Sequence, residues 1–317
     1  INDFIQGIIM LIGIVAVIAS VLGNNGGFLQ AITSLSQIPV EGSEMQGALA
    51  GFFGPDPLNL LGVVILTSLG TWGLPQMVGK FYAIKSDEAV RQGTIISTAF
   101  AVIVAGGSYF LGGFGRLYAD QVTFNPTTSA PVYDSIVPSM LSTLPDLLIG
   151  LVIVLVLSAS MSTLSSLVLT SSSTLTIDLI KGRVVKHMDD KGQLLCMRSL
   201  LVVFVALSAG IALWQYTSPV NFIAQLMGIS WGALAGAFLA PFMLGLYWRG
   251  VTTASVWACF IWGVGLTVVN MLLGNPINPI NCGAIAMVGG FPVVWIVSLL
   301  SKKLPAQTVD SIFECYK

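Results

Sequence analysis

Eight runs of predominantly apolar residues set the terms for this chain: 3 to 23, 58 to 80, 90 to 113, 146 to 178, 195 to 214, 220 to 248, 252 to 273 and 281 to 301. A hydrocarbon core about 30 Å thick takes roughly 20 residues of helix, so each run is long enough to cross it. Within lipid, backbone groups can be satisfied only by helices or closed barrels. The runs therefore predict an all-α polytopic membrane protein of about eight transmembrane helices, with residues 1–317 as one transmembrane domain. Composition agrees, since 55% of the residues are hydrophobic and 9% charged, against roughly 25% charged in an ordinary globular domain. A net charge of −1 leaves no basic field to hold nucleic acid. Cys196, Cys259, Cys282 and Cys315 are scattered, and His187 is the sole histidine. That pattern argues against zinc sites, disulfide frameworks and Cys/His nucleophiles.

Basic residues accumulate in cytoplasmic loops of membrane proteins, which gives an independent check on the spans. With the N-terminus inside, Lys80, Lys85, Arg91, Lys181, Arg183, Lys186, Lys191, Arg198, Arg249, Lys302, Lys303 and Lys317 all fall on cytoplasmic connections, and only Arg116 falls outside. The expected arrangement is an integral protein of the plasma (inner) membrane with both ends of the chain cytoplasmic. The two long outer loops, with Gly54-Pro55-Asp56-Pro57 and Phe124-Asn125-Pro126-Thr127, each carry an apolar stretch, near Phe28 to Ile38 and Ile136 to Leu144, suited to an interfacial helix. Because Ile1 stands almost at the head of an apolar run, the chain reads as the C-terminal portion of a longer protein.

No acid lies mid-span: Asp3, Asp87, Glu88, Asp146 and Asp178 sit at span ends. An intramembrane protease or a carboxylate proton relay needs buried ionisable groups, so the chain is read as no enzyme. Polar chemistry enters elsewhere. From Ser158 to Thr176, twelve of nineteen residues are Ser or Thr. Most fit a packing role, in which small hydroxyl residues let helices approach closely and bond back to their own carbonyls. In Ala159-Ser160-Met161-Ser162-Thr163, however, positions 159, 162 and 163 share one helical face. The Ala159 carbonyl and the Ser162 and Thr163 hydroxyls offer three neutral oxygens, half of a cage for a hard monovalent cation such as sodium. Packing and ion binding both remain open at this point.

The second span carries Leu69-Gly70-Thr71-Trp72-Gly73-Leu74-Pro75-Gln76, with helix breakers in mid-membrane. Such a break is tolerated where freed backbone groups face a cavity, and in transporters it marks the substrate site. A simple proline kink is the other reading. Trp72 would stack on or gate a substrate, or face lipid; its place between Gly70 and Pro75 favours the former. In the sixth span Gly228, Gly232, Gly236 and Ala240 form a small-residue stripe that permits close helix crossing.

The run Leu157-Ser158-Ala159-Ser160-Met161-Ser162-Thr163-Leu164-Ser165-Ser166, followed by Ser171-Ser172-Ser173 and Asp178, resembles the signature helix of the sodium/solute symporter family, which includes sodium/proline, sodium/pantothenate and sodium/glucose transporters. Asn2-Asp3-Phe4-Ile5-Gln6, Trp72-Gly73-Leu74-Pro75-Gln76 and Gly245-Leu246-Tyr247-Trp248 are similar to further landmarks of that family, in the same order. The resemblance implies part of a leucine-transporter-type core of two inverted five-helix repeats. The first span would be the last helix of repeat one, spans two to six all of repeat two, and the last two spans additions. It also implies that Ala159, Ser162 and Thr163 bind sodium as a transported ion. Ser68, Thr71, Trp72 and Gln76 would contact substrate, with Thr71 standing where some relatives carry tyrosine. The expected function is sodium-coupled symport of a small organic solute by alternating access, the solute being an amino acid such as proline or an organic carboxylate such as pantothenate. The partners are then solute, sodium, the lipid bilayer and a missing N-terminal half of the same protein that would complete the cage. The alternative is a non-transporting membrane scaffold or channel-like subunit.

Overall fold

The local signals that start and stop helices account for most element boundaries. The structure, a computed structural model, describes residues 2–40, 46–81, 84–124, 132–185, 187–217 and 223–316. Asn125-Pro126-Thr127, residues 220 to 222, Lys186 and Lys317 lie outside the described residues. In chain order the α-helices are α1 (Asn2–Asn24), α2 (Phe28–Gln37), α3 (Pro57–Gly70), α4 (Pro75–Phe81), α5 (Asp87–Gly113), α6 (Ile136–Leu141), α7 (Asp146–Thr174), α8 (Asp190–Thr217), α9 (Ile223–Tyr247), α10 (Thr253–Leu272), α11 (Pro279–Leu300) and α12 (Ala306–Ile312).

Three long helices begin on side-chain caps. Asp56 accepts from the Asn59 amide ahead of Pro57 on α3, Ser86 accepts from the Ala89 amide at α5, and Thr252 and Ser255 form a reciprocal box at α10. Each satisfies amides that a helix start leaves unpaired. At the other end of α10 the chain turns through Gly274 and Asn275, both at positive φ. The Asn270 side chain then holds the loop by donating to the Ile277 carbonyl at 2.9 Å and accepting from its amide at 3.1 Å.

Seven helices among the described residues are long and apolar enough to span a membrane, and they coincide with seven of the eight expected runs. The chain is an integral membrane protein. The eighth run, 58 to 80, is no single helix: α3 stops at Gly70, a 3₁₀ turn covers Thr71–Gly73, and α4 restarts at Pro75. The fourth run is longer than expected, because α7 continues as a π-helix over Leu175–Val184. Both expected interfacial stretches contain helices, α2 and α6.

The chain divides into two compact units. One comprises residues 1–38 and 86–220. Its core gathers Val17 and Val21 of α1, Tyr118, Met140, Leu144 and Val152 of α7. Gly13 lets α1 approach α7, since a Cβ there would come within 2.7 Å of the Leu155 side chain. Asn25 donates to the Tyr118 hydroxyl at 3.0 Å, closing the polar end of this core.

The other unit comprises residues 39–85 and 221–317. Here the glycine stripe of α9 is in backbone contact with its neighbours. A Cβ on Gly228 would meet the Pro279 carbonyl carbon at 2.7 Å, and one on Gly232 would meet the Gly283 Cα at 2.6 Å. A Cβ on Gly236 would meet the Ala286 Cβ at 2.9 Å and the Gly263 Cα at 3.2 Å. Close helix crossing is therefore what the stripe does, bringing α9, α10 and α11 together. Leu66 of α3 packs with Ala235 and Leu239 of α9 and with Ile280 and Met287 of α11, and Ala240, Cys259 and Val294 of α9, α10 and α11 form a second cluster.

Candidate functional site

The hydroxyl-rich segment lies on α7, in the first unit. Four of its side chains bond back to their own helix: Ser165 donates to the Met161 carbonyl at 2.7 Å, Thr170 to Ser166 at 2.8 Å, Ser172 to Leu169 at 3.0 Å and Ser173 to Thr170 at 2.9 Å. These hydroxyls serve the helix itself, as the packing reading requires. Ala159, Ser162 and Thr163 lie within an unbroken α-helical stretch, whose i, i+3, i+4 spacing brings them onto one face. Ala159 and Ser162 are half-buried and Thr163 is exposed. The face thus combines a carbonyl and two hydroxyls without any formal charge.

The interrupted helix lies in the second unit, and its geometry explains both glycines. At Gly70 a Cβ would come within 2.9 Å of the Trp231 ring and 3.3 Å of the Met287 methyl. At Gly73 it would approach the Ala235 Cβ at 2.7 Å and the Leu239 Cβ at 2.9 Å. The 3₁₀ turn is therefore laid directly on α9. Leu74 then adopts an extended conformation, with φ −85° and ψ 120°, which is the conformation favoured for a residue before proline. Met287 stands eight residues beyond Pro279, about 12 Å along a helix of roughly 33 Å, so the break lies more than a third of the way along α11.

The residues singled out from sequence flank this break. Ser68 and Trp72 are exposed, while Thr71 and Gln76 are half-buried. The Thr71 hydroxyl donates to the Ser68 carbonyl at 3.1 Å, which still leaves its oxygen able to accept. Trp72 is 57% exposed, so it is no part of the packing between α3 and α9. The indole that does pack there is Trp231, on the opposite wall. From sequence, Ser230-Trp231 could face a cavity but could not be placed, although Trp231 stands next to Gly232 of the small-residue stripe.

The chain is similar to several known proteins. The sodium/pantothenate symporter of Escherichia coli (strain K12) is 28% identical over 284 residues, covering 88% of this chain and 56% of that protein. Sodium/proline symporter 2 of Staphylococcus saprophyticus is 29% identical over 287 residues, 89% of this chain and 53% of that protein. The sodium/proline symporter of Staphylococcus aureus is 28% identical over 317 residues, 96% of this chain and 58% of that protein. The chain spans about half the length of the curated relatives it matches. A family model described as the sodium:solute symporter family matches residues 1–263, which include α7, the break and its α9 wall. From that match over most of its length, the chain belongs to the sodium:solute symporter family.

Proposed function

We propose that this chain forms part of a sodium-coupled symporter for a small organic solute. The observation that carries the reading is the helix break at Thr71–Gly73 in a chain of this family. In lipid, backbone groups freed by such a break cost several kcal/mol each unless a cavity or ligand meets them. Ser68, Thr71 and Gln76 supply hydroxyls and an amide that donate and accept, which suits a carboxylate or amide-bearing solute. Trp72 adds an apolar face for the solute's hydrocarbon part. Relatives named for proline and pantothenate support a solute of this size and chemistry.

Sodium is assigned to Ala159, Ser162 and Thr163. Neutral oxygens bind a monovalent cation weakly enough to release it each cycle, which coupled transport requires. The remaining ligands of the shell belong, in this reading, to parts of the whole transporter other than residues 1–317, which act as one domain with them. Sodium favours one access state, and that differential affinity links its gradient to solute movement. The distribution of twelve basic residues on alternate connections supports cytoplasmic chain ends in a plasma membrane.

Sodium-dependent uptake of labelled proline and pantothenate by the whole transporter in vesicles tests the reading, and uptake indifferent to sodium would reject it. A scaffold or channel subunit would show no accumulation against a gradient. At the break, cysteines introduced in turn at 68, 71, 72 and 76 should react with small charged thiol reagents and be shielded by solute. Inertness at all four positions would show that the break faces lipid.

A further inference from the structure

Beyond the last membrane span the chain continues through Ser301–Pro305 into α12 and a 3₁₀ turn, Phe313–Tyr316. Val309, Ile312, Phe313 and Tyr316 recur at the spacing of one helical face, and the Phe313 and Tyr316 rings lie 5.7 Å apart along it. Asp310, Ser311 and Glu314 occupy the other side. Ile312 and Tyr316 are 58% and 60% exposed while Val309 and Phe313 are half-buried, so the Ile312–Tyr316 edge of this apolar face has no cover within the second unit.

The level of the segment relative to the bilayer is fixed by one residue. Arg249, in the turn between α9 and α10, donates to the Asp310 carboxylate at 3.1 Å and sets its guanidinium 5.2 Å from the centroid of the Phe313 ring. That turn joins the end of α11 through the Thr252 and Ser301 hydroxyls, 2.6 Å apart. Exposed aromatics ring the same end of the unit: Tyr247 at the close of α9, Trp257 one turn into α10, and Trp295 less than two turns before the end of α11. Tryptophan and tyrosine gather where hydrocarbon gives way to headgroups. The segment is therefore held at the height of an aromatic belt, with Ile312 and Tyr316 uncovered and Lys302 and Lys303 exposed in the connection leading to it.

We propose that residues 305–316 form an interfacial helix that lies in the headgroup layer and favours anionic lipid. The apolar residues enter the acyl boundary, as amphipathic helices do. The two lysines answer lipid phosphate, while Arg249 neutralises Asp310 and Glu314 keeps to the side away from the apolar face. The surface continues the membrane-spanning one without a gap, since α11 ends at Leu300, which is 83% exposed.

The test uses the full chain in vesicles of phosphatidylcholine with and without phosphatidylglycerol. Cys196→Ser and Cys315→Ser remove the accessible thiols, leaving the buried Cys259 and Cys282. A fluorescent label is then attached through Ile312→Cys, Tyr316→Cys or, on the polar side, Ser311→Cys. Labels at 312 and 316 should be quenched by spin-labelled lipid about threefold more than the label at 311, and shielded from aqueous iodide. Reversing both lysines, Lys302→Glu with Lys303→Glu, should abolish the enhancement of lipid quenching that phosphatidylglycerol produces. Labels at 312 and 316 as open to iodide as that at 311, or shielded from iodide and lipid alike, would overturn the proposal. Lipid quenching that is the same with and without phosphatidylglycerol would overturn the preference for anionic lipid.

Discussion

Gly263→Ala is expected to destabilise the second unit by more than about 2 kcal/mol, because overpacking against rigid backbone has no flexible neighbour to yield. A Cβ at this position would fall within contact distance of the Ala237 amide nitrogen and the Gly236 carbonyl carbon. These are main-chain atoms of α9, which itself rests on α11 through Gly232 and Gly236. The methyl group can be accepted only if two helices separate. Gly265, two residues on, has nothing within 4 Å of the same atom, and its replacement by alanine should be neutral or gain up to about 1 kcal/mol of helix propensity. Thermal unfolding of the two variants in detergent, followed by size-exclusion chromatography, makes the comparison direct. Equal stability would mean that α9 and α10 are not locked by backbone contact.

The second large effect concerns the ion. In the whole transporter, Thr163→Ala should raise the sodium concentration for half-maximal uptake by about fivefold to a hundredfold, if one oxygen ligand is worth about 1–3 kcal/mol. Ser162→Ala should act in the same direction. The internal control is Ser165→Ala, two residues from Thr163 on the same helix, a hydroxyl that donates to the Met161 carbonyl at 2.7 Å and is not among the three assigned ligands. It should leave sodium dependence where it was. A shift of equal size in all three would indicate a general loosening of α7, and no shift in Ser162→Ala or Thr163→Ala would remove the sodium assignment.

Much of this architecture was legible because lipid leaves a chain so few choices. Span positions follow from apolar length, and the interruption at Thr71–Gly73 follows from Gly70, Gly73 and Pro75, whose backbone effects are local. What the glycines touch was not legible. Gly70 meets Trp231 and Gly73 meets Ala235, contacts between residues some 160 positions apart that depend on how α3 rolls against α9. Nor was the π-helical continuation at Leu175–Val184 foreseen, since its residues, among them Asp178, Lys181 and Arg183, suit an α-helix end just as well. The short helix α12 escaped because its four-residue stripe is too brief to stand out beside runs of twenty.

The contrast between the two sides of the helix break has a mechanical consequence. On one side stands a wall of three helices in main-chain contact, as stiff as a crystal and with no small step available to it. On the other hangs α4, seven residues long, which touches the 3₁₀ turn more than any other element. Any change in volume at the break must therefore come from α4 swinging about the extended residue Leu74, as a door turns on a fixed frame. Over a lever of about 10 Å, a rotation of 10° carries its far end by roughly 2 Å, about the radius of a methyl group. A movement of this kind proceeds by small angles, and its travel is set by one residue's backbone.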